Sequence, residues 1–379
     1  QRVALLIETH RTYTREILRG VRRWMAEHGT WSTFLELGAA EMGPPAWLRH
    51  WDGDGILSRT FTAETADVIR RTELPTVELR ATRFGQDLPF VGMDNGLIGQ
   101  MVAEHFLNRG YRNFGVYTLA SEQFFEQRVQ NFVRALERKG WQCSSLPSGG
   151  DVSPEDWESS QEQLIRWLEG LRHPVGVFAT NDQLGVRVLD ACQRAGLGVP
   201  EDVAVVGTEN EETLCEFATP PLTSVRFDGE QVGYEAARLL DRRMRGERGA
   251  AREVLVPPKG MVVRASSDDF VIEDRLVAHA ARKIREQAAQ GIHVEDVCQV
   301  LAVSRSTLER RMKASLGRTP KEEILRVRFQ IVERLLRETE ITMDLVAEQT
   351  GFTHAAYFHA AFRERYGMTP HQFRKGKTR

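Results

Sequence analysis

The chain has 379 residues, with 51 Lys+Arg against 53 Asp+Glu and a formal net charge of −2, long enough for two or three domains with a substantial core. No apolar run approaches the roughly 18 residues of a membrane span, and the four cysteines (143, 192, 215 and 298) form no CxxC pair, which points to neither a disulfide framework nor a zinc site. Cys192 and Cys298 fall in apolar helical patterns and are expected to be buried, and the expected compartment is the cytoplasm.

The opening QRVALLIETH reads as a strand, too short for a signal-peptide core and without a cleavage pattern. It lacks an initiator Met, so the native start is expected upstream. From residue 3 to about 266 short apolar strands alternate with amphipathic helices. The expected strands are 3–7, 55–57, 76–79, 114–117, 175–179, 203–207 and 222–225. Helical patterns lie at about 14–28, 95–109, 124–140, 157–171, 182–196 and 229–246, several closed by glycines at 110, 140 and 196. Such β-α-β order implies parallel sheets with right-handed crossovers. At this length it predicts two Rossmann-like lobes, with a ligand at the carboxyl ends of the strands. No GxGxxG or Walker pattern occurs, so no cofactor is expected, and no metal.

Several strand ends carry polar groups: Asp94-Asn95, Asn181-Asp182 and Thr208-Glu209-Asn210, while Arg128 begins the helix after Tyr117. Carboxylates and a guanidinium converging from different strands can each hold adjacent hydroxyls, and aromatic faces can cover the apolar face of a sugar ring. Asp and Asn are also ordinary helix N-caps, so the capping role stands beside the binding role at 94–95 and 181–182.

The stretch from Val91 to Arg112 and the segments DGIL at 54–57, ATND at 179–182, PEDVAVVG at 200–207 and PLTSV at 221–225 together resemble the LacI/GalR-type, periplasmic-binding-protein-like sugar domain over nearly all of 1–266. The resemblance implies ligand contacts at Asp94, Arg128, Asp182, Glu209 and Phe227. Glu209 stands where the family commonly has the shorter Asp, and Phe227 offers a stacking face where a polar residue is common.

After a linker expected at 267–272, residues 273–379 read as an all-α domain with two helix-turn-helix units, 294–315 and 341–370, joined by a long amphipathic helix. Val297, Val300 and Leu301 mark the apolar face of one first helix, Leu345 and Val346 that of the other. Leu308 and Met312, then Phe358 and Phe362, are spaced i, i+4 and should face the core. The other face of the first reading helix carries Arg305, Ser306, Glu309, Arg310 and Lys313. Arg310 can take guanine bidentately, Glu309 can accept from cytosine, and Ser306 can serve either. The second, expected from about Thr353 to Tyr366, exposes His354, Ala355, Ala356, His359 and Ala360, which suits docking and shape readout more than a base code. From 273 onward Lys+Arg number 20 against 14 acids, and the remainder holds 31 against 39. A basic third on an acidic body fits a phosphate-binding module attached to a non-DNA domain.

The run Gly351-Phe352, Tyr357-Phe358, Phe362, Gly367, Thr369-Pro370, Phe373-Arg374 resembles the AraC-type DNA-binding domain. The resemblance implies base-reading positions at Ser306, Glu309, Arg310, Ala355, Ala356 and Ala360, with the aromatics filling the core. A LacI-type sensor followed by an AraC-type reader resembles the regulators of bacterial xylose operons. It implies a non-enzymatic, sugar-responsive regulator that binds D-xylose or another pentose and works as a homodimer. It further implies a grip on double-stranded operator DNA, contact with RNA polymerase when activating, and no membrane partner. Two alternatives share the cleft: a non-transcriptional sugar receptor, and a carbohydrate-active enzyme using Asp94, Asp182 and Glu209.

Overall fold

The computed structural model describes residues 1–36, 43–82, 84–85, 87–119, 122–148, 156–247, 252–268, 271–272, 274–352 and 354–375. The chain divides into two compact units, Gln1–Phe270 and Val271–Arg379. No helix among the described residues is long and apolar enough to cross a membrane.

The first unit starts with β1 (Arg2–Leu6), α1 (Thr12–His28), β2 (Ser32–Leu35), β3 (Gly55–Ser58), α2 (Ala63–Thr72), β4 (Thr76–Glu78) and β5 (Phe90–Met93). It crosses to a second lobe for α3 (Asn95–Asn108), β6 (Asn113–Leu119), α4 (Gln123–Glu137), β7 (Cys143–Ser148), α5 (Trp157–Gly170), β8 (Val175–Ala179), α6 (Asp182–Ala195), β9 (Val203–Glu209), α7 (Glu212–Phe217) and β10 (Thr223–Arg226). The chain returns for α8 (Gly229–Met244) and β11 (Glu253–Val256), then crosses back for β12 (Gly260–Val262). Each lobe is a six-stranded sheet, ordered β11-β5-β4-β3-β1-β2 and β12-β10-β9-β8-β6-β7. The pairs are parallel except β10–β12. This is the expected α/β two-lobed, periplasmic-binding-protein-like fold.

The seven expected strands form because each is a buried apolar run. β2, β5, β7, β11 and β12 were not anticipated: β2, β7, β11 and β12 are edge strands with little buried apolar surface, and β5 is a four-residue run interrupted by Gly92. Asp94, Asn181 and Asp228 each cap the helix that follows through their side-chain oxygens, which is the ordinary reason for such residues at strand–helix junctions.

Helices α1 and α8 pack at backbone distance through two glycines. A Cβ on Gly20 would lie 1.9 Å from the Glu230 carbonyl oxygen, and one on Gly233 would lie 1.9 Å from that of Ile17. Neither obstacle is a side chain that can swing aside, so Gly233→Ala should force the helices apart at a cost of about 1–3 kcal/mol. Thermal melts should show the lowest unfolding midpoint falling by about 3–10 °C; an unchanged midpoint would mean that the pair slides without penalty.

The last strand leads into a segment still packed on the second lobe: Ser266 and Ser267, the latter at the start of the expected linker, are fully buried. Arg109 donates to His105 Nδ1 (3.1 Å), leaving Nε2 to donate to Ser267 Oγ (2.8 Å), which donates to Thr223 Oγ1. Burial, reinforced by the Arg109 charge, holds the His105 imidazole down to about 3, well below the usual value near 6.5. Below pH 6.5 the unfolded chain takes a proton that the native His105 refuses, so stability falls with pH, by about 2 kcal/mol at pH 5. The stability gap between the native chain and His105→Gln should therefore narrow between pH 7 and pH 5 in denaturant titrations. A gap independent of pH would show that another group carries the acid sensitivity.

The second unit is all helix: α9 (Arg275–Gln287), α10 (Val294–Leu301), α11 (Arg305–Leu316), α12 (Pro320–Glu338), α13 (Met343–Gln349), α14 (Ala355–Tyr366) and α15 (Pro370–Lys375). Two cores form. Val297, Leu308 and Met312 fill one, and Val346, Phe358 and Phe362 fill the other. The long helix α12 contributes Ile324 and Val327 to the first core and Phe329, Val332 and Leu336 to the second. Ala302, Gly317 and Gly367 close α10, α11 and α14 in the left-handed conformation. Four expectations need correction: Val300, Leu345 and Tyr357 are exposed, and Cys298 is only partly buried. Val300 lies on α10, Leu345 on α13 and Tyr357 on α14, each on the solvent side of its helix, so apolar character alone does not imply burial. The expected helix start at Thr353 lies outside the described residues.

Candidate functional site

Between the lobes of the first unit lies a cavity of about 560 Å³, within the range of small-molecule sites. Its walls are the carboxyl ends of strands from both lobes, together with α1 and α4. Arg128, Glu209 and Phe227, all expected as ligand contacts, line it. Arg128 is almost completely buried. Its Nε donates to Asn95 Oδ1 (2.9 Å), and its Nη1 donates to the Thr180 carbonyl (2.7 Å) and Thr208 Oγ1 (3.0 Å). Burial pulls this guanidinium down to about 10, opposed by the Glu209 charge, which lies 4.0 Å away. It remains cationic at neutral pH.

Glu209 ends β9 with φ 101°, followed by Asn210 with φ 51°. This corner turns the carboxylate toward the opposite lobe, where Arg11 Nη1 lies 3.4 Å away. Further bridges between the lobes run from Arg80 to Glu122 (2.7 Å) and from the Thr12 hydroxyl to Glu211 (2.6 Å). Asn210 Oδ1 accepts from Arg264 Nη1 (2.9 Å), so the cleft corner is tied to the end of the unit's own chain.

Two expected contacts do not face this cavity. Asp182 is 1 % exposed, and its oxygens accept from Ser224 Oγ (2.6 Å) and the Glu211 backbone N–H (2.7 Å). Burial raises its carboxyl to about 7 against the Ser224 hydrogen bond. It supports the loop that carries Glu211 and has no free face toward a ligand. Asp94 caps α3 at the Leu97 N–H (2.8 Å) and lines a neighbouring hollow with Glu78 and Asn131 instead. Asp94 and Asp182, which the enzyme alternative would combine with Glu209, therefore do not join it in the lining of this cavity.

Sequence reasoning missed Tyr13, Arg59, Phe61, Arg80 and Phe124, which line the same cavity. The signal was available for two of them: Arg59 follows β3 and Arg80 lies just past β4, at strand ends governed by the rule that selected Glu209. The aromatic residues lack such a signal, because Tyr13 on α1, Phe61 after β3 and Phe124 on α4 read as ordinary core residues.

In the second unit α11 presents Ser306 and Arg310 to solvent, with Leu308 and Met312 turned inward. Arg305 is engaged on the surface, its Nε donating to Glu309 Oε1 and its Nη1 to Glu295 Oε1, both at 2.8 Å. Glu309 would therefore have to exchange Arg305 for a base. On α14 His354 and Ala356 are exposed, and Ala355 and His359 are half-buried. Arg328 of α12 donates to the carbonyls of Ala288 and Ile292 (3.0 Å each) and lies 5.6 Å from the Phe352 ring centroid. That contact holds the turn of one helix-turn-helix against the other.

Residues 103–267 match the periplasmic binding protein-like domain, and residues 297–376 match a helix-turn-helix domain. The xylose operon regulatory protein of Haemophilus influenzae is 28 % identical, with 98 % of each chain covered. That of Escherichia coli K12 is 26 % identical, covering 98 % of this chain and 96 % of its own. The solved structure of a xylose-binding transcription activator superposes with a TM-score of 0.81 at 26 % identity, covering 99 % of this chain and 97 % of that one. The chain thus joins a periplasmic-binding-protein-like domain to a helix-turn-helix domain, and over nearly its whole length it is similar to xylose operon regulatory proteins.

Proposed function

We propose that this chain is a sugar-responsive transcription regulator that takes a monosaccharide in the interlobe cavity and operator DNA on α11 and α14. The observation that carries the reading is the convergence of Arg128, Glu209 and Phe227 on one cavity, with a separate helical unit exposing Arg310 on a reading helix. Arg128 and Glu209 supply donors and an acceptor for hydroxyls, and Phe227 supplies an apolar face. The full-length relatives named for the xylose operon favour D-xylose or another pentose skeleton. The solved relative described as an activator favours activation, with contact to RNA polymerase. A homodimer in the cytoplasm would present four helix-turn-helix units to DNA. Ser306, Glu309 and Arg310 read bases, with Arg305 releasing Glu309; His354, Ala355 and His359 dock the second helix.

A ligand that touches both lobes favours the state in which they are bridged. A hundredfold preference for that state is worth about 2.7 kcal/mol, enough to change operator occupancy. The Asn210–Arg264 hydrogen bond gives that preference a route out of the cleft.

Two measurements test the reading. Glu209→Ala removes a charged acceptor worth about 1.5–3 kcal/mol, so calorimetric sugar affinity should fall at least about tenfold, while DNA affinity without sugar stays as it was. Undiminished sugar binding would take Glu209 out of the site. Arg310→Ala should cost about 1–3 kcal/mol at a single base position, read by fluorescence anisotropy on duplexes selected by the native chain and varied one pair at a time. An equal loss on every sequence would reduce Arg310 to a phosphate contact.

A further inference from the structure

Helix α1 begins without an acceptor of its own. Its N-cap position is Arg11, whose side chain makes no capping hydrogen bond, and its first turn holds no acid. A helix start leaves backbone N–H groups without intrahelical partners, and its partial positive charge favours a carboxylate close by. In the same unit α2, α3, α6 and α8 meet that need locally, through Thr62, Asp94, Asn181 and Asp228.

For α1 the acceptor comes from the other lobe. Glu211 Oε2 accepts the Thr12 backbone N–H (2.9 Å), and Oε1 accepts the Thr12 hydroxyl (2.6 Å). Arg15, which donates to Thr12 Oγ1 (2.8 Å), brings its own Nη2 to 4.0 Å from Glu211. Glu211 stands at the N-cap of α7 yet makes no side-chain bond to that helix. Glu122 at the head of α4 repeats the pattern: it makes no cap bond there and pairs instead with Arg80 of the first lobe, at 2.7 Å.

The Glu211 carboxylate is aimed by a rigid support. Its backbone N–H donates to Asp182 (2.7 Å), and the preceding Asn210 is tied to Ser224 and Arg264. Neither Thr12 nor Glu211 is among the residues that line the interlobe cavity. The pair therefore joins the lobes beside the cavity and outside it. Parting the lobes would return the start of α1 and the carboxylate to water, so this cap exists only while the cleft is closed.

We propose that Glu211 is a closure residue: a helix cap supplied to α1 by the opposite lobe, which retains an effector in the cleft without touching it. The assignment rests on the cleft being a sugar site and adds a determinant of affinity that lies beyond the site itself.

The full-length chain should be titrated calorimetrically with D-xylose and L-arabinose. Glu211→Ala is expected to weaken the tighter of the two roughly three- to thirtyfold, the effect of one lost helix cap. Thr12→Val, which deletes the hydroxyl bond and keeps the N–H, should weaken it less. Combined with Glu211→Ala it should add little, because each change removes the same contact. Unchanged affinity in Glu211→Ala, or losses that simply add, overturns the proposal and leaves the sugar-sensor reading intact. Hydrogen exchange of the first turn of α1 decides the cap without any ligand. Exchange there should be faster in Glu211→Ala than in the native chain, and equal exchange overturns the cap. If neither pentose binds the native chain, the pentose reading falls and the exchange comparison alone decides for or against the clasp.

Discussion

The geometry of the first unit depends on one buried cation. Arg128 sits in the second turn of α4 with almost no contact with water, and a guanidinium in that position is tolerable only if fixed acceptors replace its hydration. Asn95 at the head of α3, the Thr180 carbonyl ahead of α6 and the Thr208 hydroxyl near the end of β9 are those acceptors. Three chain segments from different parts of the sequence must therefore end at defined points around one side chain. Satisfying Arg128 thereby places the neighbouring Glu209 and Phe227 at the cavity wall. The same cation stacks against Phe124, Phe125 and Phe227, so the polar and apolar parts of the wall are set together.

The second unit solves a different problem with a similar device. Two small helical cores, each too slight to stand firmly alone, share α12. Glu323, wholly buried on that helix, is held by Arg318 and Arg326, whose hydrogen bonds and charges keep its carboxyl down at about 2 against the upward pull of burial. Five residues on, Arg328 spans from the end of α9 to Phe352. Where Gly351 meets the Ala288 carbonyl, a Cβ would lie 2.4 Å from that oxygen. Charge pairs and a missing side chain together keep the two reading helices at a set separation, which a duplex with a fixed repeat requires.

Much of this was legible in the residues. Alternating apolar runs and helical periods reveal the two lobes, because buried parallel strands are written as continuous Val, Ile and Leu. The i, i+4 pairs Leu308/Met312 and Phe358/Phe362 identify the inward faces of α11 and α14. The cleft was only half legible. Glu209 and Arg128 were reachable from the strand–helix junctions and Phe227 only through the family resemblance, whereas Arg59 and Arg80 lie at strand ends but match no familiar motif. Asp182 illustrates the opposite failure: an acid beside the cleft in sequence turns inward, because Ser224 and the Glu211 backbone need an acceptor there. Linear spacing shows where a side chain starts and is silent on which neighbour claims it.

The corner at Glu209 and Asn210 has a thermodynamic corollary. Left-handed backbone at an L-residue costs of order 1–3 kcal/mol, and Asn tolerates it far better than Glu. The Glu209 torsion persists because β10 pairs with β9 through Arg226 and Glu209, while Asn210 is anchored to Ser224 and Arg264. A glycine at 209 would relax the torsion and erase the carboxylate. Keeping an acid on so unfavourable a hinge leaves mechanical tension in the wall of the interlobe cavity, a loaded latch in an otherwise relaxed scaffold.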